Sequence, residues 1–131
     1  VRMKLGALKE VVCGKRIVMI DDSIVRGTTS AHIVGMLKEA GAKEVHVRIS
    51  SPPFMHPCYF GTDVPSDEQL IAHDNTIEQI CQLIGADSLG YLPVERLGEL
   101  TGVSGGYCDA CFTGRYPVEP PESDIRGDFA R

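Results

Sequence analysis

Residues 17–30, IVMIDDSIVRGTTS, gather the groups best suited to chemistry: adjacent carboxylates Asp21 and Asp22, a turn holding Arg26 and Gly27, and three successive hydroxyls, Thr28, Thr29 and Ser30. The stretch Ser23 to Thr29 offers a string of backbone N–H groups. Gly27 permits close approach, and the hydroxyls stand where a helix begins and its dipole favours an anion. These features suit a phosphate. Two carboxylates would repel that phosphate, so they must face another part of the ligand. As acceptors they suit paired hydroxyls, a metal ion or a developing positive charge. A sugar monophosphate satisfies both halves of the stretch. The chain has no G-x-x-x-x-G-K-[ST] and no G-x-G-x-x-G, so neither a P-loop nor a dinucleotide fingerprint is present. A response-regulator receiver also places an Asp pair on Mg2+ after an apolar strand, but it needs a late lysine, and the last lysine here is Lys43. An acidic turn capping a helix would explain one Asp and one Thr, not the whole stretch.

The cysteines form a second candidate site. Cys108 and Cys111 make a C-x-x-C within GGYCDACFTG, read as a Gly-rich turn. Such a pair is a zinc half-site, a redox pair or a coincidence. A redox pair is expected after a strand and at a helix start, unlike this context. Cys58, in a proline-rich stretch, is a natural third ligand. Cys81 shares an apolar helical face with Ile77, Ile80 and Ile84 and reads as a packed thiol. Cys13, just before a strand, matches no ligand position. His32, His46, His56 and His73 have no metal-like spacing and read as surface or core residues.

The elements that must position these residues follow from periodicity. KRIVMID reads as a buried central strand ending at the carboxylates. TTSAHIVGMLKEAG has Ile33, Val34, Met36 and Leu37 at helical spacing, with Gly41 just past its end. Val45 to Ile49 give a second strand with His46 and Arg48 turned outward, so strand, helix and strand form a βαβ unit in a parallel sheet. Residues 51–66, SPPFMHPCYFGTDVPS, have no periodicity, and a stretch this long without structure is usually functional. SDEQLIAH reads as a short helix, NTIEQICQLIGADS as another with an Asn75-x-x-Glu78 capping box, SLGYL as a short strand, and PVERLGELTG as a helix opened by proline and closed by glycine.

The chain has 131 residues, 43% hydrophobic and 24% charged, the composition of one globular domain. Its apolar runs are far shorter than the ~20 residues of a membrane-spanning helix. No charged-then-apolar leader opens the chain, so the expected compartment is the cytoplasm, without a membrane partner. The net charge of −5 is uneven: residues 1–50 hold nine Lys or Arg against five Asp or Glu, and residues 51–131 four against thirteen. Nucleic acid is a poor partner for such a chain, while a small anion suits the basic first part. The first residue is Val, and the opening VRMKLGALKE reads as part of a longer chain.

VMIDDSIVRGTTS resembles the phosphoribosyl pyrophosphate (PRPP) motif of type I phosphoribosyltransferases. Together with VHVRISSPP, PCYFGTDVPS, IGADSLGYL and GGYCDACFTGRYP, it resembles the iron-sulfur class of the glutamine PRPP amidotransferase family over nearly the whole chain. The resemblance implies an α/β type I phosphoribosyltransferase fold with an incomplete parallel sheet and a helical and irregular C-terminal segment. Residues 1–50 would be part of the core with the PRPP motif, and residues 51–131 the segment of the same domain with the iron-sulfur cysteines. It implies that Asp21 and Asp22 bind the ribose hydroxyls at a Mg2+ site, and that Ser23, Ile24, Val25, Arg26, Gly27, Thr28 and Thr29 hold the 5′-phosphate. Lys4, with Arg2 beside it, would meet pyrophosphate from the end of a mobile loop. Cys58, Cys108 and Cys111 match ligands of a 4Fe-4S cluster whose fourth ligand would precede Val1.

The implied activity forms 5-phosphoribosylamine from PRPP and glutamine-derived ammonia, releasing pyrophosphate, in the first step of purine synthesis. Purine nucleotides would inhibit it, and the assembly would be a homotetramer. The family's glutaminase half, with its terminal cysteine nucleophile, and the first transferase strands are missing here, so this chain alone is expected to be inactive. It is also expected to expose apolar surface at Ile17 to Ile20 and at Val45 to Ile49. The alternative is a non-catalytic module that senses nucleotide or PRPP and binds zinc through its C-x-x-C.

Overall fold

The computed structural model describes residues 9–61, 66–102 and 106–120. Lys4 and Arg2 lie outside the described residues. Three strands, β1 (Arg16–Asp21), β2 (Glu44–Ile49) and β3 (Ser88–Tyr91), form one sheet in that order, and both pairings are parallel. Parallel neighbours need crossovers. Helix α1 (Thr28–Glu39) connects β1 to β2, while α2 (Ile71–Asp74) and α3 (Ile77–Leu83) lie between β2 and β3. Two more short helices follow, α4 (Leu97–Thr101) and α5 (Ala110–Thr113). The α/β parallel architecture agrees with the sequence expectation.

In-register pairing aligns Met19 with Val47 and Leu89, and Asp21 with Ile49 and Tyr91. Because side chains alternate along a strand, each such row shares one face of the sheet. Val34 and Leu37 of α1 and Ile80 of α3, with Ile84 just beyond it, pack on that face against Val45, Val47 and Ile49 to form the core. The opposite face carries Val18 and Ile20, which are 61% and 76% exposed. Beside them lies a polar lattice in which Glu44 Oε2 accepts from Arg16 Nε at 2.8 Å and meets His46 Nε2 at 2.9 Å, while His46 Nδ1 meets Ser88 Oγ at 2.8 Å.

Several expectations need correction. The first strand is not fully buried: among the described residues β1 lies at the edge of the sheet, and only its Ile17, Met19 and Asp21 side is half-covered. Val45, Val47 and Ile49 are not exposed, because the helices cover their face. SDEQLIAH is not one helix. A 3-10 turn, Asp67–Gln69, is separated from α2 by Leu70, which adopts an extended backbone and buries its side chain to 2% exposure. The capping box of α3 uses Thr76 and Gln79, not Asn75 and Glu78. Asn75 is otherwise engaged, since its amide donates to the Ile71 carbonyl at 2.8 Å. Ile80 and Ile84 are buried as expected, but Ile77 is exposed. PVERLGELTG begins as a 3-10 turn, Val94–Arg96, before α4, and ends at left-handed Gly102.

Candidate functional site

Strand β1 ends in Asp21, and the chain turns through Ser23–Gly27 into α1. The turn is anchored by Ile24, which is 2% exposed. Gly27, at φ 82° and ψ −15°, is the N-cap of α1, and that left-handed geometry favours glycine. No side chain caps the helix and no acidic residue lies in its first turn. The first backbone donors of α1, at Thr28, Thr29 and Ser30, therefore remain available to an anion. Residues Asp21 to Ser30 line a single open cleft of about 530 Å³. The structure thus brings Asp21, Asp22, Ser23, Ile24, Val25, Arg26, Gly27, Thr28 and Thr29 into one place.

The carboxylates are held by local bonds. Asp22 N–H donates to Asp21 Oδ1 at 3.0 Å, and Ser23 Oγ to Asp22 Oδ1 at 3.4 Å. Ser50, at the end of β2, donates its N–H to the Asp21 carbonyl at 3.0 Å. This fixes the strand end without consuming the carboxylates. Oxygen donors of this kind match the preference of Mg2+ for hard ligands, and two acceptors side by side match a vicinal pair of hydroxyls.

A residue far along the chain shapes the loop. Ile71 N–H donates to the Val25 carbonyl at 2.9 Å. A β-carbon on Gly27 would stand 2.6 Å from Ile71 Cδ1 and 3.6 Å from Ile84 Cγ2. Ile71 therefore backs the loop and adds a second reason for glycine at 27. Its place beside Gly27 is a tertiary contact across forty-four positions of chain, which no motif spacing encodes.

The thiols occupy the other end of this region. The C-x-x-C is not in an irregular turn: Cys108 precedes α5 and Cys111 lies within it, before left-handed Gly114. The Cys111 carbonyl accepts from Met55 N–H at 2.9 Å and His56 N–H at 3.0 Å, and Tyr116 Oη donates to the Pro57 carbonyl at 2.8 Å. These bonds bring the Cys58 segment against α5. Burial pushes the Cys111 thiol up to about 11, with Cys58 and Cys108 adding repulsion, so all three thiols share one electrostatic neighbourhood. Among the described residues, however, no three His, Cys, Asp or Glu side chains converge on a point where one metal ion could sit. The other cysteines lie apart from this chemistry. Cys81 is half-buried, and its Sγ donates to the Ala86 carbonyl at 3.3 Å. Cys13 is exposed and lies beside Gly41.

No family model matches the chain. Curated relatives do. An amidophosphoribosyltransferase of Bacillus subtilis is 58% identical over 126 residues, covering 91% of this chain and 26% of the relative. A chloroplastic amidophosphoribosyltransferase of Glycine max is 53% identical over 127 residues, covering 96% of this chain and 22% of the relative. Among solved structures, the glutamine PRPP amidotransferase of B. subtilis, in complex with ADP and GMP, superposes with a TM-score of 0.77 at 55% identity. That match covers 88% of this chain and 26% of the other. The chain thus spans about a quarter of the length of the relatives it matches. Two kinds of similarity agree, and they run through the carboxylate cleft and the thiol region alike. Over that shared quarter, this chain belongs to the amidophosphoribosyltransferase family.

Proposed function

We propose that this chain supplies the PRPP-binding, carboxyl-terminal part of an amidophosphoribosyltransferase, which makes 5-phosphoribosylamine from PRPP and glutamine-derived ammonia at the entry to purine synthesis. The observation that carries this reading is the cleft, where an Asp pair at a strand end runs directly into an uncapped helix N-terminus. In this reading residues 1–50 are the core of the site and residues 51–131 complete the same domain. The backbone of Ser23 to Thr29 and the start of α1 hold the 5′-phosphate, with Arg26 the nearby cation. Asp21 and Asp22 accept hydrogen bonds from the ribose hydroxyls.

Holding the sugar at both ends leaves C1′ presented to the acceptor, which removes much of the entropic cost of the encounter. Ammonia donates its lone pair to C1′ while the C1′–oxygen bond breaks and its electrons leave with pyrophosphate. The attacking nitrogen then loses a proton to solvent. Positive charge develops on the ring as the bond breaks, and the two carboxylates stabilise it. Asp21 and Asp22 would help hold Mg2+, which would supply positive charge against the leaving pyrophosphate, and Lys4 and Arg2 are assigned to the same anion. Cys58, Cys108 and Cys111 are assigned to a 4Fe-4S cluster with one further ligand from outside this sequence. Regulation by purine nucleotides, a partnering glutaminase half, a homotetrameric assembly and a cytoplasmic setting belong to the same reading.

The test is kinetic, in the full-length enzyme. Asp21→Asn and Asp22→Asn should each lower kcat/KM for PRPP at least about tenfold, the equivalent of one charge-assisted hydrogen bond. Glutamine hydrolysis should persist. Unchanged PRPP kinetics in both variants would remove the assignment.

A further inference from the structure

The four-residue helix α2 touches both candidate sites. At its first residue, Ile71 N–H holds the Val25 carbonyl at 2.9 Å, and the Ile71 side chain fills the space beside Gly27. Two residues later, His73 Nδ1 lies 3.0 Å from the Met55 carbonyl. Met55 in turn sends its N–H to the Cys111 carbonyl at 2.9 Å. The path from phosphate loop to thiols runs from Val25 to Ile71, along the backbone of α2 to His73, and on through Met55 to Cys111. The helix is pinned in place: Leu70 and Ala72 are 2% and 4% exposed, and Asn75 closes its end on the Ile71 carbonyl at 2.8 Å.

On the loop side, the backbone bond from Ile71 to Val25 is the link between residues 23–27 and the segment after β2. On the thiol side, His73 faces the Met55 carbonyl and, at 3.8 Å, Asp67. A shift of α2 would move the Val25 carbonyl and the Met55 carbonyl together, because the interior around Leu70 and Ala72 leaves no slack for one to move alone.

We propose that α2 mechanically couples the sugar-phosphate cleft to the thiol site, with His73 as the positioning residue that transmits the coupling. The proposal rests on the reading of the cleft given above, and extends it: anion binding at Ser23 to Thr29 tightens the Cys111 segment, and ordering of the thiols favours anion binding. Reciprocity of the two effects is a thermodynamic requirement of any such coupling. His73 touches neither ligand, so its loss should change the dependence of one site on the other while leaving each site's own groups in place.

The experiment uses the full chain with its thiols freed by chelation under reducing, anaerobic conditions. The alkylation rate of Cys111 by iodoacetamide is followed by peptide mass spectrometry, with and without saturating PRPP and Mg2+, and PRPP binding is measured separately by calorimetry. The expected result is a slowing of Cys111 alkylation by PRPP of about fivefold or more, the lower end of typical coupling. His73→Ala should abolish that dependence, and His73→Asn, whose amide nitrogen reaches the place of Nδ1, should restore it. PRPP binding without any effect on Cys111, or a full effect in His73→Ala, would overturn the coupling.

Failure of PRPP to bind would instead count against the proposed function, and a ligand-free arm then decides the coupling. Gly27→Ala forces a β-carbon against Ile71 and should by itself quicken Cys111 alkylation, whereas Leu83→Ala, on the exposed side of α3, should not. Equal rates in Gly27→Ala and the parent would overturn the coupling whatever the ligand.

Discussion

Asp87 Oδ2 accepts the Val45 N–H at 2.7 Å and lies 3.3 Å from Lys38 Nζ, so one carboxylate ties the start of β2 to the end of α1 and to the turn before β3. The Val45 bond is the main reason its carboxyl sits below the ordinary aspartate range, with burial opposing and Lys38 assisting. A lowered folded value means the stabilisation is present above the unfolded aspartate pKa and is lost as pH falls through the folded value. Asp87→Ala should therefore lower Tm at pH 7 by a few degrees, and the gap from the parent should close in acid. Lys38→Ala should cost less, and that smaller loss should fade at high salt. Thermal melts from pH 2 to pH 7 at two salt concentrations check both; a gap that does not change with pH would contradict the role given to the carboxylate.

The cap of α3 gives a second prediction. Thr76 Oγ1 accepts the Gln79 N–H at 3.3 Å while Gln79 Oε1 accepts the Thr76 N–H at 2.8 Å. Thr76→Ala should cost about 1 kcal/mol in denaturant unfolding, as expected for a lost N-cap. Glu78→Ala should be nearly silent. The opposite order would restore the pairing of Asn75 with Glu78 read from the sequence.

The uncovered face of β1 sets a third. Val18 and Ile20, at 61% and 76% exposure, form an apolar strip on an edge strand, the kind of surface that drives association. The 131-residue chain by itself should self-associate as concentration rises in sedimentation. Ile20→Lys, which disturbs no packed neighbour in the core, should suppress this. A parent chain that stays monomeric at all concentrations would show the strip to be inert.

The thiols give the fourth. In the full chain, Cys58→Ser, Cys108→Ser and Cys111→Ser should each abolish iron-sulfur absorption, because a hydroxyl is a far poorer donor to iron than a thiolate. Cys81→Ser and Cys13→Ser should retain it. In metal-free protein the alkylation of Cys111 should keep rising with pH toward about 11, since burial and the neighbouring thiols hold it protonated. Metal binding must therefore release its proton, and uptake should strengthen as pH increases. One zinc with no iron in anaerobically prepared, active enzyme would favour a zinc site at these cysteines over the cluster.

What the sequence determined by itself was everything carried by local spacing. Four apolar residues before two aspartates specify a strand that ends at acceptors, and Gly27 followed by Thr28, Thr29 and Ser30 specifies a left-handed turn into a helix start. Backbone preference and side-chain chemistry act within a few residues there, so the loop from Asp21 to Thr29 is legible in the order of its residues. The parallel pairing of β1 with β2 is legible for the same reason, since a helix of this length between two strands imposes it.

Tertiary structure alone decided what lies across long separations. It placed Ile71 behind Gly27 and joined Met55 and His56 to Cys111, and no periodicity links residues forty or fifty positions apart. It also overrode local signals where burial had more to gain. Leu70 breaks the expected SDEQLIAH helix because sinking its side chain into the core outweighs one continued turn, and Asn75 yields the cap of α3 to Thr76 because its amide already serves the Ile71 carbonyl. Likewise, four apolar residues in β1 could not tell a strand covered on both faces from one covered on a single face. That depends on which helices pack against the sheet, and among the described residues the core lies on the side of Met19, Val47 and Leu89.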